Sequence, residues 1–379
     1  ACAIGTGDDG CYNVAVGEGS LCKVTGSDNV AIGRSAMRYN TSGTQNTAVG
    51  RLALLANTTA SGNVGVGCAA GCATITGCCN TSVGTEALRC NTTGCYNTAI
   101  GRAALRSQTT ASNNVAVGHT AGVCNTTGCC NTGVGGGAMA LNTTGIRNVA
   151  LGYQSLYYNL TSSNNVAIGS RASWSNTTGS QNIAIGTESL CANTEGSCNV
   201  AIGYLALKKN TTGCQNTSIG RSALCSNTSG YCNIAVGDRA MLANTTGCCN
   251  VGIGVLATRC QTTGCYNVGI GICSLFANLT STSNTGIGAF ALKCFTTGNN
   301  NTAIGRSSLC STTEGTQNTA VGANSLICNT TGSYNTALGY SAGFFNSTGN
   351  YNTGVGYQAN QDVTTSTYNT AVGFYANRN

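Results

Sequence analysis

A repeat of 17 residues fills almost the whole chain and limits what the chain can fold into. A typical unit reads G-R-x-A-L-x-x-N-T-T-G-x-x-N-T-A-I, and its first Gly recurs every 17 residues from Gly33 to Gly373. Asn stands four residues before this Gly in 22 copies, from Asn13 to Asn369. We number each unit from its Gly as position zero, so this Asn occupies position thirteen. Because nothing interrupts the period, we expect residues 1–379 to form a single continuous repeat domain.

The residue types within one unit favour strands and turns over helix. Seventeen residues are too few for a helix pair, and Gly, Asn and Thr at fixed positions oppose helix. The β-branched Thr-x-Ile stretch is typical of a strand, and the Asn-Thr-Thr-Gly run is typical of a turn. We therefore predict an all-β fold, a parallel β-solenoid of about 22 coils of 17 residues. Coils about 4.8 Å apart would form a rod on the order of 100 Å long.

The Asn at position thirteen precedes every predicted strand, so its copies would stack above one another. Stacked side-chain amides can bond to the coil above and the coil below. This predicts an uninterrupted asparagine ladder that includes Asn46, Asn63, Asn80, Asn97, Asn114, Asn131, Asn148, Asn165, Asn182, Asn199 and Asn216.

The strings NTAIG, as at Asn97–Gly101, and NVAIG, as at Asn165–Gly169, resemble a known repeat type. They are similar to the SVAIG-type repeats in the heads of trimeric autotransporter adhesins, and similar strings occur in phage and viral fibres. The resemblance covers essentially the whole chain, although each motif is only five residues long. It implies a left-handed parallel β-roll that trimerises. The longer 17-residue unit, the cysteines and the Asn-x-Thr triplets depart from the family pattern.

Composition and charge distribution exclude several function classes. The net charge of +7 is spread along the chain, and the only adjacent basic pair is Lys208-Lys209. Nucleic-acid binders concentrate Lys and Arg into a patch, so we expect no nucleic-acid partner. No apolar run reaches about 18 residues, so we expect no membrane insertion. Arginines that follow the repeat Gly are interpreted as solvated surface residues: Arg34, Arg51, Arg102, Arg221 and Arg306.

Cysteines account for 25 residues and cluster at positions five, six, eleven and twelve. Pairs at six and eleven, or at five and twelve, have positions that sum to 17, as residues facing each other across a turn must. This hairpin register predicts six disulfides within single coils: Cys72–Cys79, Cys90–Cys95, Cys124–Cys129, Cys191–Cys198, Cys225–Cys232 and Cys260–Cys265. Zinc binding is the competing interpretation, but the spacings lack paired CxxC motifs. Disulfides indicate an extracellular or surface-exposed protein.

Asn-x-Ser/Thr triplets occur at 16 asparagines, and 13 of them occupy position seven. Asn and Thr are also good turn residues, which is the alternative explanation. In an extracellular protein, triplets on a solvent-facing loop predict a ridge of N-linked glycans. The predicted sites are Asn40, Asn57, Asn91, Asn125, Asn142, Asn159, Asn176, Asn210, Asn227, Asn244, Asn278, Asn329 and Asn346. Asn80 and Asn216 carry the same triplet in the ladder column, where we expect no glycan.

Convergent titratable groups, which an enzyme needs, are not apparent in the sequence. His119 is the one histidine and lies in the surface column of the arginines. Glu86 and Glu188 share a local motif but stand six coils apart, and "GDDG" at residues 7–10 is a weak calcium motif. We expect no catalysis, no resident metal and no cofactor. Three functions remain: an extracellular structural fibre, an adhesin or receptor-binding fibre that contacts cell-surface or matrix components, and an ice-binding protein.

The strand residues also bear on assembly. In Thr-Ala-Ile, Thr and Ile share one strand face and Ala takes the other. If Ala faces the coil interior, a stripe of Ile and Val points outward and predicts lateral self-association, as a trimer by resemblance. The alternative places Ile inside with the Leu of position four and gives a monomeric rod. Because neither end carries an atypical capping unit, we also expect a longer parent protein or end-to-end filaments, with Cys2 able to bond between chains.

Overall fold

The computed structural model describes residues 10–22 and 24–377. It shows an all-β parallel β-solenoid built from coils of about 17 residues, which confirms the predicted fold class. The described residues contain no helix. The chain divides into two compact units, Ala1–Glu195 and Gly196–Asn379, and the single continuous domain stays a prediction.

The first unit contains eleven strands of three residues. Each pairs in parallel with the next strand along the chain, so that residues one repeat apart are neighbours. The strands are β1 Val14–Val16, β2 Val30–Ile32, β3 Thr47–Val49, β4 Val64–Val66, β5 Thr81–Val83, β6 Thr98–Ile100, β7 Val115–Val117, β8 Thr132–Val134, β9 Val149–Leu151, β10 Val166–Ile168 and β11 Ile183–Ile185.

The second unit also contains eleven three-residue strands with the same parallel register. They are β12 Val200–Ile202, β13 Thr217–Ile219, β14 Ile234–Val236, β15 Val251–Ile253, β16 Val268–Ile270, β17 Thr285–Ile287, β18 Thr302–Ile304, β19 Thr319–Val321, β20 Thr336–Leu338, β21 Thr353–Val355 and β22 Thr370–Val372. In both units, the sheet runs along the stack of coils, one strand per coil.

The middle residue of each strand points into the coil, and the first and third residues point outward. Ala99 is fully buried, whereas its neighbour Ile100 is 39% exposed. The interior is too narrow for a larger residue there: a Cβ built on Gly65 would lie 2.9 Å from Cγ of Leu54. The alternative that places the strand Ile inside beside the Leu of position four is therefore wrong. In most coils, the core is a small strand residue packed against Leu or Met at position four. Other coils carry a smaller or polar residue there, such as Gly71, Ser173 or Thr258.

The turn that follows each strand uses left-handed backbone conformations at non-glycine residues. In one coil, Leu52 at position two has φ 60° and Leu54 at position four has φ 48°. Each such residue costs about 1–2 kcal/mol relative to a right-handed conformation. Leu54 is 1% exposed, and complete burial of a Leu side chain contributes about 1.5–3 kcal/mol. Burial of the position-four side chain thus offsets most of the strain of the turn that directs it inward.

Candidate interaction surface

The outward strand residues form a surface that we call the strand face, consisting of positions fourteen and sixteen of every coil. Position sixteen is Val, Ile or Leu in all 22 strands, and position fourteen is Val, Ile or Thr. Individual members are half-buried; Ile253 and Ile304 are 37% and 38% exposed. Within each unit, position sixteen of the strand face therefore forms an unbroken apolar column, one residue from each of eleven coils. The apolar residues of an ordinary protein surface are scattered singly.

The strand face is also free of charge. None of the 22 strands contains Asp, Glu, Lys, Arg or His. Charged side chains lie elsewhere on the coil, above all at positions one and five, as Arg34 and Arg89 illustrate. Depletion of charge is a compositional mark of the buried centre of protein interfaces. The strand face has the chemistry of a contact surface, and the remaining coil surface has the chemistry of a solvated one.

Aromatic ladders flank the strand face in the last coils of the second unit. Tyr334, Tyr351 and Tyr368 at position twelve stack with ring centroids 4.8 and 5.1 Å apart. Position one carries a second ladder in which Tyr340, Tyr357 and Phe374 follow one another at 5.3 Å. Both ladders are exposed. Because Tyr is enriched in interface cores, these coils are the most contact-prone part of the surface.

The predicted asparagine ladder at position thirteen is present in both units. The Oδ1 of Asn216 accepts from the backbone N–H of Asn233 at 3.0 Å and from its Nδ2 at 3.1 Å. The Nδ2 of Asn216 donates to Oδ1 of Asn199 and to the carbonyl of Gly230. Asn216 and Asn80 are 0% and 3% exposed, so the structure places both amides in the buried ladder, and the absence of a glycan on them stays a prediction.

The thirteen predicted glycosylation sites are also buried, which contradicts the solvent-facing loop. The Nδ2 of Asn142 donates to Oδ1 of Asn125 at 2.8 Å and to the carbonyl of Gly145 at 3.1 Å. A glycan on this nitrogen would replace a buried N–H and would need space that the stacked coils do not leave. Each of the following residues is at most 2% exposed: Asn40, Asn57, Asn91, Asn125, Asn142, Asn159, Asn176, Asn210, Asn227, Asn244, Asn278, Asn329 and Asn346. Position seven is a second asparagine ladder, and the folded coil offers no sugar acceptor there.

This second ladder leaves buried oxygens without partners where it is interrupted. Four asparagines have an Oδ1 with no hydrogen bond, and in each case the next coil carries a residue other than Asn at position seven. The pairs, with the interrupting residue second, are Asn57 and Thr74, Asn91 and Gln108, Asn244 and Gln261, and Asn346 and Val363. The orphaned atoms therefore have one shared cause, a residue in the following coil that donates no hydrogen bond to them. Thr74 and Val363 have no side-chain amide, and Nε2 of Gln108 and of Gln261 donates to a carbonyl of its own coil instead.

Thr74→Asn should repair one such interruption and stabilise the first unit. The new amide would donate to Oδ1 of Asn57, and the buried Oγ1 of Thr74, itself without a partner, would be removed. A satisfied hydrogen bond contributes about 1 kcal/mol, so we expect a gain of about that size in urea denaturation. Thr76→Asn, at an exposed position of the same coil, is the control. Equal effects of the two variants would contradict the ladder as the cause.

The backbone contradicts the hairpin register from which the within-coil disulfides were predicted. The N–H of Thr92 at position eight donates to the carbonyl of Thr109, position eight of the next coil, at 2.8 Å. The chain here pairs between coils and not with itself across a turn. Five predicted pairs are free thiols in the structure: Cys72 and Cys79, Cys90 and Cys95, Cys124 and Cys129, Cys225 and Cys232, and Cys260 and Cys265. Cys191 and Cys198 occupy the same two positions of their coil as Cys72 and Cys79.

The side chain at position eleven accepts a backbone hydrogen bond between coils, a role that the sequence analysis did not predict. Its side chain accepts a hydrogen bond from the position-eleven backbone N–H of the preceding coil, as Oγ of Ser112 does from Cys95 at 3.0 Å. The sulfur of Cys95 does the same for Cys78 at 3.1 Å, and Oγ of Ser61 for Thr44 at 3.0 Å. The enrichment of Ser, Thr, Asn and Cys at this position was the available signal, because each can accept such a bond.

The polar residues singled out in the sequence lie on the surface, as expected. Arg34, Arg51, Arg102, Arg221 and Arg306 are exposed, and so is His119, which contacts Arg102 at 3.1 Å. Arg221 donates to Asp238 at 2.7 Å, and this hydrogen bond holds the pKa of the Asp238 carboxyl below its ordinary value. Glu86 accepts from Arg89 within its own coil.

Several sequence motifs find no counterpart in the structure or lie outside it. Cys2 and the "GDDG" acids Asp8 and Asp9 are outside the described residues. Across residues 10–22 and 24–377, no group of three or more His, Cys, Asp or Glu side chains is arranged to hold a metal ion. That part of the chain also contains no helix long and apolar enough to span a membrane. Comparison with protein-family models and with curated proteins gives no match.

Proposed function

We propose that this protein is a non-catalytic, extracellular structural fibre protein that self-associates through its strand face. The observation that carries the proposal is the charge-free apolar column at position sixteen, unbroken within each of the two units. An apolar column of this length costs free energy in water at about 25 cal/mol per Å² of exposed apolar area. Contact with a partner removes that cost. The asparagine ladders and the core lie inside the coil and do not cover the strand face.

A second copy of the same chain is the partner whose shape fits best. The Ile and Val side chains of the strand face recur once per coil, at the spacing of about 4.8 Å that stacked strands impose. The side chains of two such surfaces interlock over many coils only if both surfaces repeat at the same spacing. A second copy of this chain has the same spacing because it has the same repeat. The resemblance of the NTAIG strings to trimeric adhesin heads favours three copies. Lateral trimers could extend into filaments if terminal coils of successive chains stack.

The extracellular location rests on the cysteines. A chain with 25 cysteines, many of them partly exposed, would form disulfides readily in an oxidising compartment. The proposed absence of catalysis rests on the surface chemistry, because the columns repeat one coil after another and, within residues 10–22 and 24–377, no acids, bases and nucleophiles converge on a pocket. Such a fibre could also display the exposed aromatic ladders to cell-surface or matrix components.

A double substitution on the strand face should dissociate the assembly. Ile253→Lys with Ile304→Lys places two charges in the apolar column, and burying each unpaired ammonium in an interface would cost several kcal/mol. The side chains already point outward, so we expect the fold to persist. Sedimentation or light scattering should give three chains of 37.9 kDa for the unmodified protein and one chain for the variant.

Thr246→Lys with Thr297→Lys is the matched control, because it adds the same charges to the same two coils at the exposed position nine. This control should keep the mass of the unmodified protein. A monomeric unmodified protein would refute the proposed assembly, and so would equal dissociation of both variants. Circular dichroism of both variants should match that of the unmodified protein.

Ice binding is a second candidate, favoured by one stretch of the strand face. Position fourteen is Thr in six consecutive strands, β17 to β22, and position sixteen beside it is aliphatic. Such a stretch is a regular array of hydroxyl and methyl groups, one strand apart, along the sheet. Thermal hysteresis measured on the unmodified protein separates the two functions, because lateral assembly would cover this array and abolish the effect.

A further inference from the structure

Two pairs of cysteines lie one above the other in the position-eleven column. Sγ of Cys78 is 3.1 Å from Sγ of Cys95 in the next coil, and Sγ of Cys248 is 2.7 Å from Sγ of Cys265. In both pairs, the second sulfur also accepts a hydrogen bond from the backbone N–H of the first residue at 3.1 Å. The main chain thus holds the two sulfurs of each pair against one another.

The backbone spacing suits a covalent bond between these sulfurs. Neighbouring parallel coils lie about 4.8 Å apart, and the Cα atoms of a disulfide are usually about 4.4–6.8 Å apart. An S–S bond measures about 2.05 Å, so the sulfurs must move together by about 1 Å or less. Rotation about the Cα–Cβ bonds supplies such a shift. Cys78, Cys95 and Cys265 are partly exposed, and Cys248 is 8% exposed.

We propose that Cys78–Cys95 and Cys248–Cys265 are redox-active pairs that form disulfides between adjacent coils. The oxidant is a small-molecule disulfide. One thiol loses its proton, and its sulfur attacks the small disulfide, whose S–S bond breaks and releases one small thiolate. The second cysteine, as thiolate, then attacks the mixed disulfide, forming the inter-coil S–S bond and releasing the second small thiolate. Two protein thiols are oxidised, one small disulfide is reduced to two thiols, and the two protons pass to the released thiolates.

These bonds would have a different effect from disulfides within a coil. Each joins residues 17 positions apart and ties one coil to the next, so it opposes slippage and separation of the stack. Position eleven is not part of the strand face, so the inference is independent of the proposed self-association. The neighbours Cys79 and Cys249 are the competing partners, since each directly follows one member of a pair.

Tryptic peptides distinguish the pairing modes, because Arg89 lies between Cys78 and Cys95, and Arg259 lies between Cys248 and Cys265. The full-length protein is oxidised with glutathione disulfide, its remaining thiols are alkylated, and it is unfolded and digested. We expect peptide 52–89 linked to peptide 90–102, and peptide 240–259 linked to peptide 260–293. Within-coil bonds such as Cys90–Cys95 would instead lie inside peptide 90–102. Dithiothreitol should release the linked peptides.

Serine variants locate the bond within each linked pair. Cys95→Ser and Cys265→Ser should reduce their linked peptides to the level of the dithiothreitol-treated sample, whereas Cys90→Ser should leave the first linkage unchanged. Serine already occupies this column at Ser61 and Ser112, where its hydroxyl accepts the same backbone bond, so the variants keep that contact. The proposal is overturned if the linkages persist in these variants, if the bonds lie within single peptides, or if no linked peptides form.

Discussion

Gly135→Ala should unfold the coils around it and cost about 3–5 kcal/mol, the sum of backbone strain and a steric clash. Gly135 has φ +132°, a conformation open to glycine but not to L-residues with side chains. An added Cβ would lie 2.6 Å from the carbonyl carbon of Gly152 in the next coil and closer still to its oxygen. Both contact atoms belong to the backbone, so no side chain can move aside to relieve the clash.

The neighbouring residue provides a matched control. A Cβ on Gly136 would have nothing closer than the ring of Tyr153 at 3.7 Å, an ordinary contact distance. Gly136→Ala should therefore change stability by less than about 0.5 kcal/mol. Hydrogen exchange is the appropriate measurement, because repeat proteins open locally and exchange reports each coil separately. Similar protection of the strands β8 and β9 in both variants would show that position zero does not require glycine.

Much of the fold follows from the period alone. The recurrence of Asn and Gly with three strand-forming residues between them is enough to predict one coil per repeat. The structure has its strands at these three residues, as at Thr98–Ile100. The alternation rule also separates Ala99 inside from Ile100 outside, although it could not choose between that arrangement and its reverse. The choice depends on the width of the coil interior, which the sequence pattern does not give. The structure shows that width, because Leu54 lies directly against the middle residue of a strand.

The errors in the site share one physical cause. Asn-Thr-Thr-Gly reads as an exposed polar turn, and the exposure of Asn was inferred from that polarity. In a stacked coil, a buried amide pairs with its own copies one coil away, so polarity no longer predicts exposure. One signal was present in the sequence: position seven is Phe295 in one coil, and Phe is more often buried than exposed. The structure buries this ring completely.

The cysteine pairing failed for a related reason. Positions that sum to 17 face each other only if the chain folds back on itself. In a solenoid, the nearest neighbour of a residue is its counterpart in the adjacent coil, so cysteines recurring at one position, such as Cys248 and Cys265, are the relevant pairs. Residues that are 17 positions apart in the sequence are in contact in the solenoid, because one repeat makes one full coil.

The thin apolar core explains why the asparagine ladders matter for stability. A typical coil buries little beyond an Ala, a Leu or Met and a few small residues, as the cluster of Ala87, Leu88, Ala99 and Leu105 shows. Two columns of amides run beside this core, at positions seven and thirteen, and are as deeply buried. Because buried polar groups left unpaired cost far more than paired ones gain, these ladders fix the register of every coil against its neighbours.

Asn216→Ala should destabilise the second unit by on the order of 3 kcal/mol. The change removes the Oδ1 that accepts from the backbone N–H of Asn233, and it leaves that buried N–H without a partner. The other lost bonds weigh less. The carbonyl of Gly230 keeps its bond from Asn227, and Nδ2 of Asn233 keeps its bond to Gly247. Urea denaturation with hydrogen exchange should show the loss, with the Asn233 amide losing the most protection.

Thr212→Ala tests whether the effect belongs to the ladder or to any polar truncation in that coil. Thr212 lies four residues earlier at the exposed position nine, and its replacement should shift stability by no more than about 0.5 kcal/mol. A small shift in both variants would mean that the coils are held by core packing alone. A large shift confined to Asn216→Ala would show that a buried amide column carries stability that the narrow apolar interior cannot supply.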